Sequence, residues 1–171
     1  GENSLLLLSN ELLSGRNFNN IPGLVYRLKD EIIFAEGNRE YVDLSDSNMD
    51  FSDFFNIQEC LGILSKSMLA IPLETSRGCH WNRCHFCYLN KGYRYRVSPV
   101  STLIANIIAN ISKYDVYKFM FLDCDLVGKD LKLYDTLLDE LIRLKEEFPK
   151  IQIVLAEIIT KGLEEQTIKK M

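Results

Sequence analysis

No stretch of this 171-residue chain approaches the roughly 20 consecutive apolar residues that cross a bilayer. The longest early run, Leu5–Leu8, sits among polar and acidic residues with no basic segment before it, so it does not read as a signal peptide. An excess of positive charge is also missing. The net charge of −4 removes any global electrostatic case for nucleic acid. Nor is there the even, dispersed cysteine set of a secreted disulfide scaffold. The five cysteines are Cys60, Cys79, Cys84, Cys87 and Cys124, an odd number with three crowded together. Reduced thiols and a cytoplasmic location are the expectation. Internal repeats and low-complexity segments are lacking. What remains, 47% hydrophobic and 26% charged, is the composition of a soluble globular domain.

The pattern changes along the chain. Ser4 to Ser14 reads as a helix stopped by Gly15. Gly23 to Gly37 reads as two β runs around a Lys29–Asp30 turn. "DFFNIQECLGIL", from Asp53, is a candidate short helix. From Leu69 the order becomes regular. Leu69–Thr75 is an apolar run of strand length, followed by a cysteine-rich loop. Ser98 and Pro99 read as the N-cap and first position of a helix. Its apolar face is Val100, Leu103, Ile104, Ile107, Ile108 and Ile111. Val116–Asp123 is a second strand. Leu131–Phe148 is a helix with Tyr134, Leu137, Leu138, Leu141 and Ile142 on one stripe, ended by Pro149. Ile151–Ile159 reads as a third buried strand, and a further helix starts at Leu163.

The second half is therefore β–loop–α–β–α–β–α. Continuous apolar strands alternating with amphipathic helices predict an α/β fold with a parallel sheet. A closed (β/α)8 barrel takes about 250 residues, so three β/α units make either a small open sheet or the first part of a barrel. Both architectures place chemistry at the C-terminal ends of the strands. A division is expected between a small α+β leader, residues 1–68, and the β/α part, 69–171. The helix entered at the first residues and the pattern broken off at Leu163–Met171 are expected of a fragment of a larger protein.

Between the first strand and the first regular helix lies "ETSRGCHWNRCHFCYLN", Glu74 to Asn90. Cys79, Cys84 and Cys87 have the spacing C-x4-C-x2-C. The C-x2-C pair lets two sulfurs converge from a tight turn, the preceding gap lets the chain wrap to a third corner, and Gly78 permits close backbone approach. No acidic residue occurs from Thr75 to Tyr114, whereas Arg77, Arg83, Lys91, Arg94 and Arg96 are basic. Positive surroundings favour thiolates, although a short basic run is also an ordinary solvated face. Three thiolates and an open corner suit a [4Fe–4S] cluster. Adding His80 or His85 gives instead a Cys3His set of the kind that holds structural zinc. A zinc-stabilised, non-catalytic α/β binding module is thus the alternative reading.

The strand, the Glu-x-Ser-Arg-Gly-Cys lead-in and the Phe within Cys-x-Phe-Cys resemble the cluster segment of radical S-adenosylmethionine (SAM) enzymes. The lead-in is that of members with an upstream cobalamin-binding domain. "CYLNKGYRYRVSP", "DFSDFF" and "IPGLVYR" are similar to the branch implicated in maturing ribosomally made peptides. The four-residue gap between Cys79 and Cys84 departs from the superfamily's usual three. The resemblance implies the first part of a partial TIM barrel, truncated here, with residues 1–68 following a largely missing cobalamin domain. No Asp-x-His-x-x-Gly signature of that domain is present. It implies that Cys79, Cys84 and Cys87 hold three irons and that SAM chelates the fourth. Reductive cleavage of SAM would give a deoxyadenosyl radical for hydrogen abstraction. The implied cofactors are the [4Fe–4S] cluster, SAM and, in the longer protein, cobalamin. The implied partners are an electron donor such as flavodoxin or ferredoxin and a peptide or small-molecule substrate, with no nucleic acid and no membrane.

The resemblance also places Phe86 near the adenine, offers Asp123 as a substitute at the SAM amino group, and sets Glu157 near the SAM ribose. Each has a plainer reading. Asp123 can serve as a strand-end turn or cap, and Glu157 as an exposed or salt-bridged acid. Trp81 and Tyr88 shield the site or pack locally. Arg94 and Arg96 steer an anion or are simply solvated. Cys60, with no partner signal, is expected to be structural; Cys124, between Asp123 and Asp125, either approaches the site or, as the favoured reading, packs as a buried free cysteine.

Overall fold

The computed structural model describes residues 1–15, 17–37, 41–46, 49–62, 65, 68–87, 94–160 and 163–171. The chain forms two compact units, Gly1–Asp43 and Leu44–Met171.

In the first unit, helix α1 (Glu2–Leu13) precedes an antiparallel hairpin of β1 (Val25–Leu28) and β2 (Glu31–Phe34). The turn falls at Lys29–Asp30 as the sequence predicts, with Lys29 in the left-handed region at φ 54°. Ile21 and Pro22 are buried in this unit, and the Ser4 hydroxyl donates to the Pro22 carbonyl at 2.8 Å. Gly37 packs against the segment before the hairpin. A Cβ there would lie 2.6 Å from both the Asn20 carbonyl oxygen and the Pro22 nitrogen, so only glycine fits. Helix α1 buries none of its residues.

The second unit carries the β/α pattern. After a 3-10 turn at Leu44–Asp46 come α2 (Ser52–Leu61), β3 (Ile71–Leu73), and the short strands β4 (Ser76–Arg77) and β5 (Arg96–Val97). They are followed by α3 (Val100–Tyr114), β6 (Lys118–Phe121), α4 (Leu131–Glu147), β7 (Gln152–Leu155) and α5 (Glu165–Lys170). The sheet is parallel in the order β3-β6-β7. Pro72 is tolerated because β3 is an edge strand, where a missing N–H costs no ladder bond. Burial alternates along β3 and β6. Ile71, Leu73, Phe119 and Phe121 point into one core with Leu103, Ile107 and Ile111 of α3 and Tyr134, Leu137, Leu138 and Leu144 of α4. Segment 44–62 packs with this unit. Phe55 stacks on Tyr114 with ring centroids 4.3 Å apart, and the Tyr114 hydroxyl accepts from the Phe51 amide.

Four local expectations change. Pro99 is itself the N-cap of α3, because Ser98 is buried and its hydroxyl donates to the Leu44 carbonyl at 3.1 Å. The third strand is shorter than its apolar run and is exposed throughout. Ile153, Val154 and Leu155 are 39%, 50% and 44% exposed, whereas β3, the other edge strand, buries Ile71 and Leu73. Ile142 lies at the solvent side of the α4 stripe at 40% exposure, and Leu144 takes the buried position. Cys60, on α2, is exposed rather than packed. No helix among the described residues is long and apolar enough to cross a membrane.

Candidate functional site

The cysteine loop leaves the C-terminal end of β3, where the sheet topology puts a site. Its two limbs are joined at the root. Strands β4 and β5 pair antiparallel, Ser76 with Val97 and Arg77 with Arg96, and the Ser98 amide adds a bond to the Thr75 carbonyl at 2.7 Å. Gly78 makes this closure possible. It has φ +84°, and a Cβ would stand 3.1 Å from the Arg94 carbonyl oxygen. The close approach that the sequence predicted at Gly78 is to the returning limb of the loop.

Two aspartates from the end of β6 support the root. Asp123 is buried. Its Oδ1 accepts from the Thr75 hydroxyl at 2.6 Å and the Ser76 hydroxyl at 2.7 Å, and its Oδ2 from the Thr75 amide at 3.1 Å. Three donors from the loop's first residues make it a clamp between β6 and the loop. Asp125 is also buried. Its Oδ1 accepts from the Ile159 amide at 3.0 Å, which ties in the segment after β7. Its Oδ2 faces His80 Nδ1 at 3.3 Å. That contact lacks hydrogen-bond geometry, and neither atom has a hydrogen-bond partner among the described residues. The two atoms are thus in close contact without a hydrogen bond between them.

Tyr95 completes the root. Its ring meets His80 edge-on at 5.9 Å. Burial, then the nearby charges of Asp123 and Asp125, raise its phenol above the ordinary value, against hydrogen bonds from the Lys129 backbone and Ser76. A side chain at Gly128 (φ +66°) would collide with this hydroxyl. Of these three root residues, the sequence resemblance marks Asp123 alone. The partners of Tyr95 and Asp125 lie far away in the chain, so no local spacing marks them. The one available signal was polarity directly after the apolar strand β6.

The three loop cysteines are partly accessible and form no disulfide. The Cys87 amide donates to the Cys84 carbonyl at 3.3 Å, which is the tight turn that C-x2-C implies. Phe86 projects outward at 93% exposure, and His85 is exposed. Trp81 is half-exposed with the Arg83 guanidinium 5.6 Å from its ring centroid. Arg77 pairs with Glu74 at 2.7 Å, and the Arg96 Nε donates to the Arg94 carbonyl at 3.4 Å. Tyr88, Lys91 and Tyr93 lie outside the described residues. Glu157 is exposed beyond the end of β7, and its carbonyl accepts from the Leu126 amide at 2.8 Å.

Cys124 departs from its expected packing role. It is only partly buried, stands outside the apolar core, and has its thiol raised by burial and then by the charges of Cys79, Cys87 and Asp123. It therefore neighbours the loop cysteines. The acid-free surroundings inferred from the linear sequence do not survive folding either, because Asp123 and Asp125 are brought in from β6.

A group held by three thiolates fits this donor set in kind: three partly accessible thiols outside any disulfide, two of them at the ends of one turn. The three are not preassembled. Among the described residues no trio of His, Cys, Asp or Glu side chains converges on a single metal-ion position. His80, a possible zinc ligand by sequence, is turned toward Asp125 and Tyr95.

The sequence matches no protein-family profile and no curated protein. Its fold matches solved structures over 99% of its length. One is the radical S-adenosylmethionine methyltransferase TsrM from Kitasatospora setae with tryptophan substrate and the SAM analogue aza-SAM (TM-score 0.68, 16% identity, 33% of that chain covered). The same enzyme with cobalamin and a [4Fe–4S] cluster matches likewise (TM-score 0.68, 15% identity, 34% covered). Another is the cobalamin-dependent S-adenosylmethionine radical enzyme OxsB with aqua-cobalamin and S-adenosylmethionine (TM-score 0.66, 19% identity, 24% covered). This chain thus spans about a third of TsrM and a quarter of OxsB, and shares the fold of that part of them.

Proposed function

We propose that this chain is part of a cobalamin-dependent radical SAM enzyme and contains its cluster-binding loop. The observation that carries the reading is the loop itself. Three accessible thiols stand at the C-terminal end of β3, on a root fixed by Asp123, Asp125 and Tyr95, in a fold shared with TsrM and OxsB. Cys79, Cys84 and Cys87 hold a [4Fe–4S] cluster. When bound, such a cluster supplies the electron that cleaves SAM to methionine and a deoxyadenosyl radical for hydrogen abstraction. Asp123 positions the loop. Phe86, with an uncovered ring, is available to lie against the adenine, and Glu157 stands at a strand end suited to the ribose. The electron comes from a flavodoxin- or ferredoxin-type donor. The reaction is a methylation or related modification of a peptide or natural product, in the cytoplasm; the ribosomal-peptide branch rests on the sequence resemblance alone.

Anaerobic reconstitution with iron and sulfide tests this. About four irons and four sulfides per chain are expected, with broad absorption near 400 nm, and each of Cys79→Ala, Cys84→Ala and Cys87→Ala should lose them. Stoichiometric zinc with no sulfide would show the zinc-stabilised module instead.

A further inference from the structure

We propose that Asp125 is a positioning residue that couples the cysteine loop to the segment after β7, through a hydrogen bond to His80 that closes as the three thiols gather. The proposal rests on the cluster reading above. Asp125 stands between two segments. Its Oδ1 accepts from the Ile159 amide at 3.0 Å, and the amide of the next residue, Leu126, donates to the Glu157 carbonyl at 2.8 Å. Those two bonds fix residues 157–159 to the end of β6. Toward the loop, its Oδ2 lies 3.3 Å from His80 Nδ1, and His80 directly follows Cys79 in the chain. The Asp125 side chain is 3% exposed and the imidazole 20%. Both facing atoms are buried, and neither has a hydrogen-bond partner among the described residues. A buried polar atom left unpaired is costly, and folded chains rarely keep one without a use. Here two such atoms face each other at hydrogen-bond distance without hydrogen-bond geometry.

The missing adjustment is on the loop side. Asp125 is already held by Ile159, whereas the cysteines have yet to converge: among the described residues no three His, Cys, Asp or Glu side chains meet at one metal position. Drawing Cys79 in with Cys84 and Cys87 moves its covalent neighbour His80, and a turn of the ring brings Nδ1–H into line with Oδ2. The ring stays neutral, with its proton on Nδ1, and no proton changes hands. Tyr95 packs edge-on against the same ring at 5.9 Å. Loop assembly and the fixing of residues 157–159 then share one carboxylate, so Glu157 is set relative to the thiols.

Amide hydrogen exchange of the protein, with and without a reconstituted cluster, tests this. Loading should slow exchange at Leu126 and Ile159 about tenfold in the wild type, the effect of one added hydrogen bond. At equal iron and sulfide, His80→Phe keeps a ring beside Tyr95 but has no donor, and should lose that slowing. His80→Asn, whose side-chain amide donates from near the Nδ1 position, should retain most of it. A ring that only fills space gives the opposite ranking, with Phe the better substitute. The wild-type comparison needs no variant and takes the α4 amides as its reference. Wild-type exchange that loading leaves unchanged, slowing as large in α4 as at Leu126 and Ile159, or slowing kept in His80→Phe, overturns the proposal with the cluster reading intact. A wild type that assembles no cluster overturns both.

Discussion

Replacing Asp123 with Ala removes an acceptor shared by three donors, two of them on side chains at the loop root. Buried donors left without partners each cost about 1–3 kcal/mol, so Asp123→Ala should lower stability by about 3 kcal/mol in urea unfolding. Asp123→Asn keeps an acceptor oxygen and should lose less. A residue that served only a bound cofactor would leave the unfolding midpoint of the cofactor-free protein unmoved in both variants. Asp50 gives a contrasting case at the surface. It accepts from the Ser52 hydroxyl, Tyr114 and Lys113, in that order of importance, and these bonds hold its carboxyl well below the ordinary value. A depressed folded pKa contributes stability above the unfolded pKa near 4 that is lost as pH falls toward the folded one. Asp50→Asn should therefore flatten the fall of Tm below about pH 4 relative to wild type. The grouping of Cys79, Cys84 and Cys87 was legible because it is local. His80 against Asp125, and Tyr95 against Ser76, were not, because folding alone brings those residues together.

Among the elements, α3 and α4 followed from the 3.6-residue spacing of their apolar positions, and β6 from an apolar run interrupted by Lys118 alone. Strand β7 shows where that reading stops. An apolar run reports that a segment can be buried, whereas actual burial depends on a neighbouring layer that no local pattern encodes. Likewise, the Ser98 side chain suited a cap, and a tertiary partner, the Leu44 carbonyl, took it. The β4–β5 ladder depends on Gly78. Gly78→Ala forces a side chain into the left-handed region and against the Arg94 carbonyl, at a cost of about 1–3 kcal/mol. Amide hydrogen exchange should speed up at Arg96 and Ser98 in that variant while the α3 and α4 amides stay protected.

Among the described residues, β7 is an edge of the sheet, with Ile153, Val154 and Leu155 exposed. An apolar edge strand is a template for pairing with another chain. This chain should associate with rising concentration, and Val154→Lys should reduce that in sedimentation velocity without lowering Tm, because the side chain it replaces is half-exposed.

The joined root of the cysteine loop also bears on evolution. Thr75–Arg77 and Arg96–Ser98 fix both ends of the excursion, so the chain between them is a closed loop on a rigid base. Closure entropy grows only with the logarithm of length, and even doubling such a loop costs about 0.6 kcal/mol. One residue inserted or deleted within it is then close to neutral for folding. The four-residue gap between Cys79 and Cys84, set against the three of the segment it resembles, would be a change of this kind. Selection on the spacing of the thiols can act on ligand geometry alone, with the sheet beneath indifferent to the outcome.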